Sequence, residues 1–333
     1  MIVNLPDTSS REVAKRLVTL HETEGSVNSG RVLTLVVCAE HDEPTEGAIE
    51  AAIAASREHP SRVIVVSRGV RHARSRMDAE IRVGGDAGAS EVIVLSLAGD
   101  MADHAHAVVI PFLLPDTPVV TWWPSIGPAR PASDPLGTLG RRRIMDANRD
   151  PGLNTVLKRR LAGYSPGDTD IAWTQLTPWR AILASALDRP PFTPVLEIDV
   201  TGPDRSPAID LLAGWLRSAL GVPTRRFTGS FEVRLVRTDG DTVLAVDESN
   251  NAVLTAPGKP DGKIAMTPRS LPVCIAEELR RLDVDEVYAS ALAGVADVER
   301  ISPEQEALLR ADMRAAVEHA AQQSDSAASD GKE

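Results

Sequence analysis

Four stretches decide the fold: RVLTLVVC at 31–38, RVIVVS at 62–67, EVIVLSL at 91–97 and PVVTWW at 118–123. Each is short and rich in β-branched residues, and each is apolar throughout instead of alternating. Strands of that kind suit a sheet covered on both faces, hence a mainly parallel sheet sandwiched by helices. Their spacing is close to one βαβ unit of about 30 residues. The intervals supply the helices. Ser9 and Glu12 form a capping box, Val13, Leu17 and Leu20 make an apolar stripe, and Gly25 provides a stop. From Thr45 to Glu58, Ile49, Ala52 and Ile53 share one face behind an acidic first turn. Between Gly69 and Ala89, MDAEIRV alternates and predicts an additional strand.

From Ser125 to Ser165 this rhythm gives way to Pro, Gly and basic clusters, including Arg141–Arg143 and Lys158–Arg160. Residues 130–160 carry a local charge of +5 in a chain of −11, so the stretch reads as a basic connector. Beyond it, strand Val195–Val200 precedes a helix with Ser206 at the N-cap, Pro207 at its first position and Gly221 after its end. FEVRLVR and TVLAVDE follow, joined through Asp239-Gly240, and further short strands are expected near Leu254 and Ile264, giving an antiparallel meander. Helices are expected from about Ser270, near Val287, and from Ser302 to about Ala321. The organisation expected is an α/β domain over 1–125, a connector over 126–165, an α+β domain over 166–321 and a disordered tail over 322–333.

With 36 Lys and Arg against 47 Asp and Glu, the acidic balance argues against a general nucleic-acid binder. No apolar run approaches the roughly 18 residues of a membrane span. The start, MIVNLPDTSS, lacks the features of a signal peptide, and two cysteines make no disulfide framework, so a reduced cytoplasmic protein is expected.

No stretch carries a complete catalytic or cofactor signature. Gly84, Gly85 and Gly88 lack the first glycine of GxGxxG, and Gly258–Lys263 lacks the spacing and hydroxyl of a Walker loop. His104 and His106 have no further nearby ligand to complete a metal site. Cys38 lies in a buried-strand pattern, and Cys274 lies at a helix start that could lower its pKa. Neither a catalytic group nor a cofactor or metal site is therefore expected. Arg68, Arg71, Arg74 and Arg76 follow directly on a strand, where open α/β sheets bind their ligands. They define an alternative anion or partner site, and with the 68–88 region an alternative function, that of a phosphosugar- or nucleotide-binding enzyme or sensor.

The aromatic residues form the one anomaly. Of eleven, ten lie between Phe112 and Phe231, including every Trp. Because Trp and Arg dominate interface energetics, Trp122, Trp123, Trp173, Trp179 and Arg180 are candidate partner-binding residues. An inter-domain core is the competing reading.

GRVLTL at 30–35, HPSRVIVV at 59–66, GASEVIVL at 88–95, PVVTWWP at 118–124 and, above all, DIAWTQLTPWRAILA at 170–184 resemble the OpcA family of glucose-6-phosphate dehydrogenase assembly proteins of actinobacteria. The resemblance covers most of both expected domains in order. It implies a non-enzymatic partner that binds glucose-6-phosphate dehydrogenase, promotes its active oligomer and so acts on NADPH supply through the oxidative pentose phosphate pathway. Cyanobacterial relatives are associated with redox control through cysteines, and Cys38 and Cys274 do not map onto such a pair.

Overall fold

The computed structural model describes residues 1–24, 30–40, 43–84, 91–190 and 192–308. The expectations for Gly25, Gly85, Gly88, the last helix beyond residue 308 and the tail fall outside them.

In the first half, β1 (Ile2–Leu5) leads into α1 (Ser10–Glu24), whose start is fixed by the expected capping box: Ser9 Oγ accepts from Glu12 N and Glu12 Oε2 from Ser9 N. Then come β2 (Leu33–Glu40), α2 (Glu46–Ala55), β3 (Ser61–Arg68), β4 (Arg76–Arg82), β5 (Glu91–Ala98), the short helices α3 (Asp100–Asp103) and α4 (Ala105–Val109), and β6 (Val119–Trp122). The chain continues through β7 (Arg142–Met145), α5 (Val156–Gly163), β8 (Asp168–Asp170), α6 (Ile171–Thr174) and α7 (Thr177–Leu187).

These strands form one eight-stranded sheet, ordered β1-β4-β5-β3-β2-β6-β7-β8. From β5 to β8 all pairs are parallel, and β4 and β1 add an antiparallel edge. Counting only the parallel strands in chain order, the arrangement is 3-2-1-4-5-6, the doubly wound order of dinucleotide-binding sheets. The alternating MDAEIRV segment is indeed the extra strand β4. Residues 126–165, expected as a connector, instead carry the sheet onward through β7 and contribute α5. Arg142, Arg143 and Arg160 are buried in ion pairs, so part of a run that reads as solvated is interior, while Arg130, Arg141, Arg149 and Arg159 stay exposed.

The second half builds a seven-stranded sheet from β9 (Val195–Gly202), β10 (Thr224–Thr228), β11 (Glu232–Arg237), β12 (Thr242–Val246), β13 (Asn251–Thr255), β14 (Gly262–Ala265) and β15 (Glu299–Arg300), ordered β14-β13-β12-β11-β9-β10-β15. The β11-to-β14 part is the expected antiparallel meander. Between β9 and β10 runs α8 (Pro207–Leu220), which has both expected caps: Ser206 Oγ accepts from Ile209 N, and Gly221 adopts the left-handed φ of 70° that favours glycine. α9 (Leu271–Arg280) and α10 (Glu286–Gly294) follow the meander.

Among the described residues, three apolar clusters result. One lies on the α1, α3 and α4 face of the first sheet, and one lies between α8, α10 and the second sheet. The third joins the halves, because α9 leaves the second sheet and packs Cys274, Ile275, Ala276 and Leu279 with α2 against the other face of the first. Val156 and Leu157 of α5 likewise enter the second core. Gly163 permits α5 to lie close, since a Cβ there would sit 1.9 Å from Ala129 O.

Candidate functional site

In a doubly wound sheet, ligands settle at the carboxyl ends of the strands where the order reverses, here between β2 and β6. The first strand-to-helix turn there normally supplies glycines and helix N–H groups to a pyrophosphate. This chain places Glu40 and Glu43 in that position. Glu40 is paired with Arg68 at 2.5 Å, and Arg68 also reaches Asp134 at 3.3 Å. Glu43 accepts from the backbone N–H of Ile126 at 3.3 Å. Carboxylates therefore line the place a phosphate would take, and like charge disfavours one.

The alternative arginine site does not assemble. Besides Arg68, Arg71 pairs with Asp103 at 3.3 Å, Arg74 with Asp7 at 3.8 Å and Arg76 with Asp78 at 2.8 Å. Each of the four cations thus meets a carboxylate of its own. Gly84, from the neighbouring glycine cluster, takes a positive φ of 68° at the end of the extra strand, which is what a turn requires.

The aromatic candidates separate by burial. Trp122 and Trp123, adjacent in sequence, point to opposite sides of the first sheet, Trp122 into the α2 and α9 core and Trp123 into the α1 core. Trp173 on α6 is fixed by its Nε1, which donates to Asp285 Oδ2 at 2.9 Å, and by Tyr288, 6.1 Å away. All three are at most 1% exposed, which corrects their assignment as partner contacts: they have no surface to offer.

Arg180 lies with its guanidinium 3.6 Å above the Trp173 ring and donates to Thr177 Oγ1. Burial lowers its pKa, opposed by Asp285, Glu277 and Glu278. Trp179, one turn into α7, is half-buried and stacks obliquely on Phe231 at 4.4 Å. Around this pair Pro178, Ile209, Val246 and Met266 line an open apolar groove between α7 and the second sheet, with Arg269 at its edge. Of the five aromatic-band candidates, Trp179 alone contributes its ring to a surface groove. Phe231 and Met266 lie far from it in sequence, and no local pattern marked them as its neighbours.

Behind the groove runs a buried ionic network. Arg142 pairs with Glu278 at 2.6 Å, Arg143 with Asp168 at 2.5 Å, and Arg160 approaches Asp150 at 3.5 Å. Glu278 also accepts from Thr169 and Thr174. Burial pushes the Glu278 carboxyl above its usual range, against the pull of Arg142. Asp146 is pushed up to about 7, chiefly by burial and then by Asp170. The Cys274 thiol is raised by burial to about 11 and Cys38 is raised further, so the lowering that the start of α9 could give is outweighed by burial. His104 bonds the Asp100 carbonyl, and among the described residues no group of three or more His, Cys, Asp or Glu is arranged to hold a metal. No described helix is long and apolar enough to cross a membrane.

Fold and site define a two-unit α/β protein that has a dinucleotide-type strand order, acidic residues where that fold binds phosphate, and an aromatic groove on its surface. Two family models match it in order: the glucose-6-phosphate dehydrogenase subunit N-terminal domain over residues 52–161 and the C-terminal domain of the same subunit over 166–292. The chain belongs to this family, the OpcA assembly proteins of glucose-6-phosphate dehydrogenase. No curated protein sequence matches it. Among solved structures it is similar to a biliverdin reductase from Synechocystis (12% identity, 79% of this chain and 96% of that one, TM-score 0.43). Others are a glucose-6-phosphate 1-dehydrogenase from Mycobacterium avium (11%, 81% and 94%, 0.40) and a UDP-N-acetylglucosamine 3-dehydrogenase from Acidithiobacillus ferrooxidans (10%, 80% and 97%, 0.37). With TM-scores below 0.5, these likenesses bear on neither fold nor activity.

Proposed function

We propose that this chain is a non-enzymatic cytoplasmic assembly factor that binds glucose-6-phosphate dehydrogenase and activates it allosterically, so raising NADPH supply through the oxidative pentose phosphate pathway. The carrying observation is the family match, which runs through both halves of the chain. The acidic turn after β2 supports a role without a dinucleotide of its own. An activator acts by binding one conformer of its partner better than another, and a tenfold activation needs about 1.4 kcal/mol of such preference. A partially exposed Trp beside a Phe and a Met is the kind of surface that anchors a protein contact. We assign that contact to the groove of Trp179 and Phe231, with Arg180 holding α7 in place from beneath through Trp173.

Size-exclusion chromatography of the chain mixed with its cognate dehydrogenase tests the reading. Co-elution is expected, with weaker association for Trp179→Ala. Separate elution at micromolar concentrations of both would refute it.

A further inference from the structure

A second pocket lies where α5 of the first half meets the β10–β15 edge of the second sheet, and its charge is unlike that of the rest of the protein. Lys158, Arg226 and Arg300 line it, with Asp210 as the lining carboxylate and Asn154 and Leu157 on the α5 side. It encloses about 600 Å³ including its mouth. Arg226, on β10, is 1% exposed. Its Nε donates to Asp210 at 3.0 Å, its Nη1 to the carbonyls of Gly202, at 3.1 Å, and of Phe227, and its Nη2 to the Pro203 carbonyl at 2.5 Å. The guanidinium is thus set rigidly in the wall. Arg300 on β15 reaches the other oxygen of Asp210 at 2.6 Å and the Asp204 carbonyl at 3.2 Å, which leaves further N–H groups of its fork unused. Lys158 is exposed and has no ion pair among the described residues.

Even counting Asp204, 3.8 Å from Arg300, three cations face two carboxylates in a chain of net charge −11. The start of α5 adds to this. Thr155, its N-cap, makes no side-chain cap bond, and the pocket is lined on this side by Asn154, Leu157 and Lys158 around that helix start, the positive end of the helix dipole. A buried guanidinium that contributes charge from the wall, a second one with spare donors, an exposed ammonium and a helix start without a side-chain cap are together elements that favour a small oxyanion.

We propose that this pocket binds a small phosphate-bearing metabolite, which would clamp α5 onto the second sheet and tighten the joint between the two halves. The proposal does not depend on the partner assigned above.

Inorganic phosphate is the probe, titrated calorimetrically into the full chain in chloride buffer of matched ionic strength. Saturable binding is expected, and Lys158→Ala should weaken it about tenfold. Because Lys158 is exposed and unpaired, that variant should melt as the parent does. Lys15→Ala, an exposed lysine on α1 remote from the pocket, should bind phosphate as the parent does. No saturable heat beyond that of chloride, equal affinity in parent and Lys158→Ala, or an equal loss in Lys15→Ala would each overturn the proposal.

Discussion

Replacing Glu278 by Gln would test how the two halves are held together. Arg142 and Glu278, 136 residues apart, are each 4% exposed, and two guanidinium nitrogens approach Oε2 at 2.7 and 2.6 Å. The third nitrogen donates to the Asp283 carbonyl at 2.7 Å, so the arginine of β7 is latched to α9 and to the loop after it. An amide at position 278 has a single oxygen, which can accept from Arg142 or from Thr169 and Thr174 but not from both sides, and it leaves the guanidinium charge buried and uncompensated. Breaking a buried pair from one side costs about 3–5 kcal/mol. At roughly 2–4 °C per kcal/mol, the melting temperature should fall by about 6 °C or more. The double variant Arg142→Met with Glu278→Leu removes both charges and should recover most of that loss, because the desolvation of the pair offsets much of its attraction. Urea unfolding of parent, single and double variants supplies the cycle. A cost below about 1 kcal/mol for Glu278→Gln would refute the reasoning and make the junction a solvated contact.

Other expectations are as direct. Trp122→Ala and Trp123→Ala should each cost about 3–5 kcal/mol of stability and affect partner binding only through unfolding; Trp179→Ala should weaken binding about tenfold while melting within a few degrees of the parent. Asp146, with a folded pKa of about 7 against about 4 unfolded, stays protonated in the fold over a range where the unfolded chain has lost its proton. Its contribution is thus full below about pH 4 and lost as pH rises toward about 7 and beyond. Asp146→Asn, which keeps the acceptor for Asn148 N, should therefore flatten that part of the stability curve and be more stable than the parent at pH 8; an unchanged slope would rule this out. Cys38 and Cys274 are both at most 1% exposed with raised pKa values, so a thiol reagent should label neither until the chain unfolds, and rapid native labelling would contradict their burial.

The parallel strands were legible because complete burial leaves a continuous apolar run, and α8 was legible because its caps are local chemistry. β7 and β8 were not. Their sequences, RRIM and DTD, are polar, and they are interior only because Arg142 and Arg143 find Glu278 and Asp168 across the fold. Periodicity treats such charges as solvated, and the partner of a buried arginine cannot be read from its neighbours in the chain. The return of α9 onto the first sheet was hidden for the same reason, since an apolar stripe does not name the surface it will cover. For the tryptophans, residue type was equally consistent with core and interface. The strand order assigned Trp122 and Trp123 to the two faces of a covered sheet, and left Trp179 at the surface.

The central claim, activation without intrinsic turnover, is tested most directly by following NADP reduction by glucose 6-phosphate at fixed dehydrogenase while this chain is titrated in, with the chain alone as a parallel sample. No turnover by the chain alone is expected, and a saturable rise in kcat/KM of the enzyme is, with the saturation point displaced to higher concentration for Trp179→Ala. Turnover by the isolated chain, or a dehydrogenase rate that stays flat up to a large excess of it, would contradict the account.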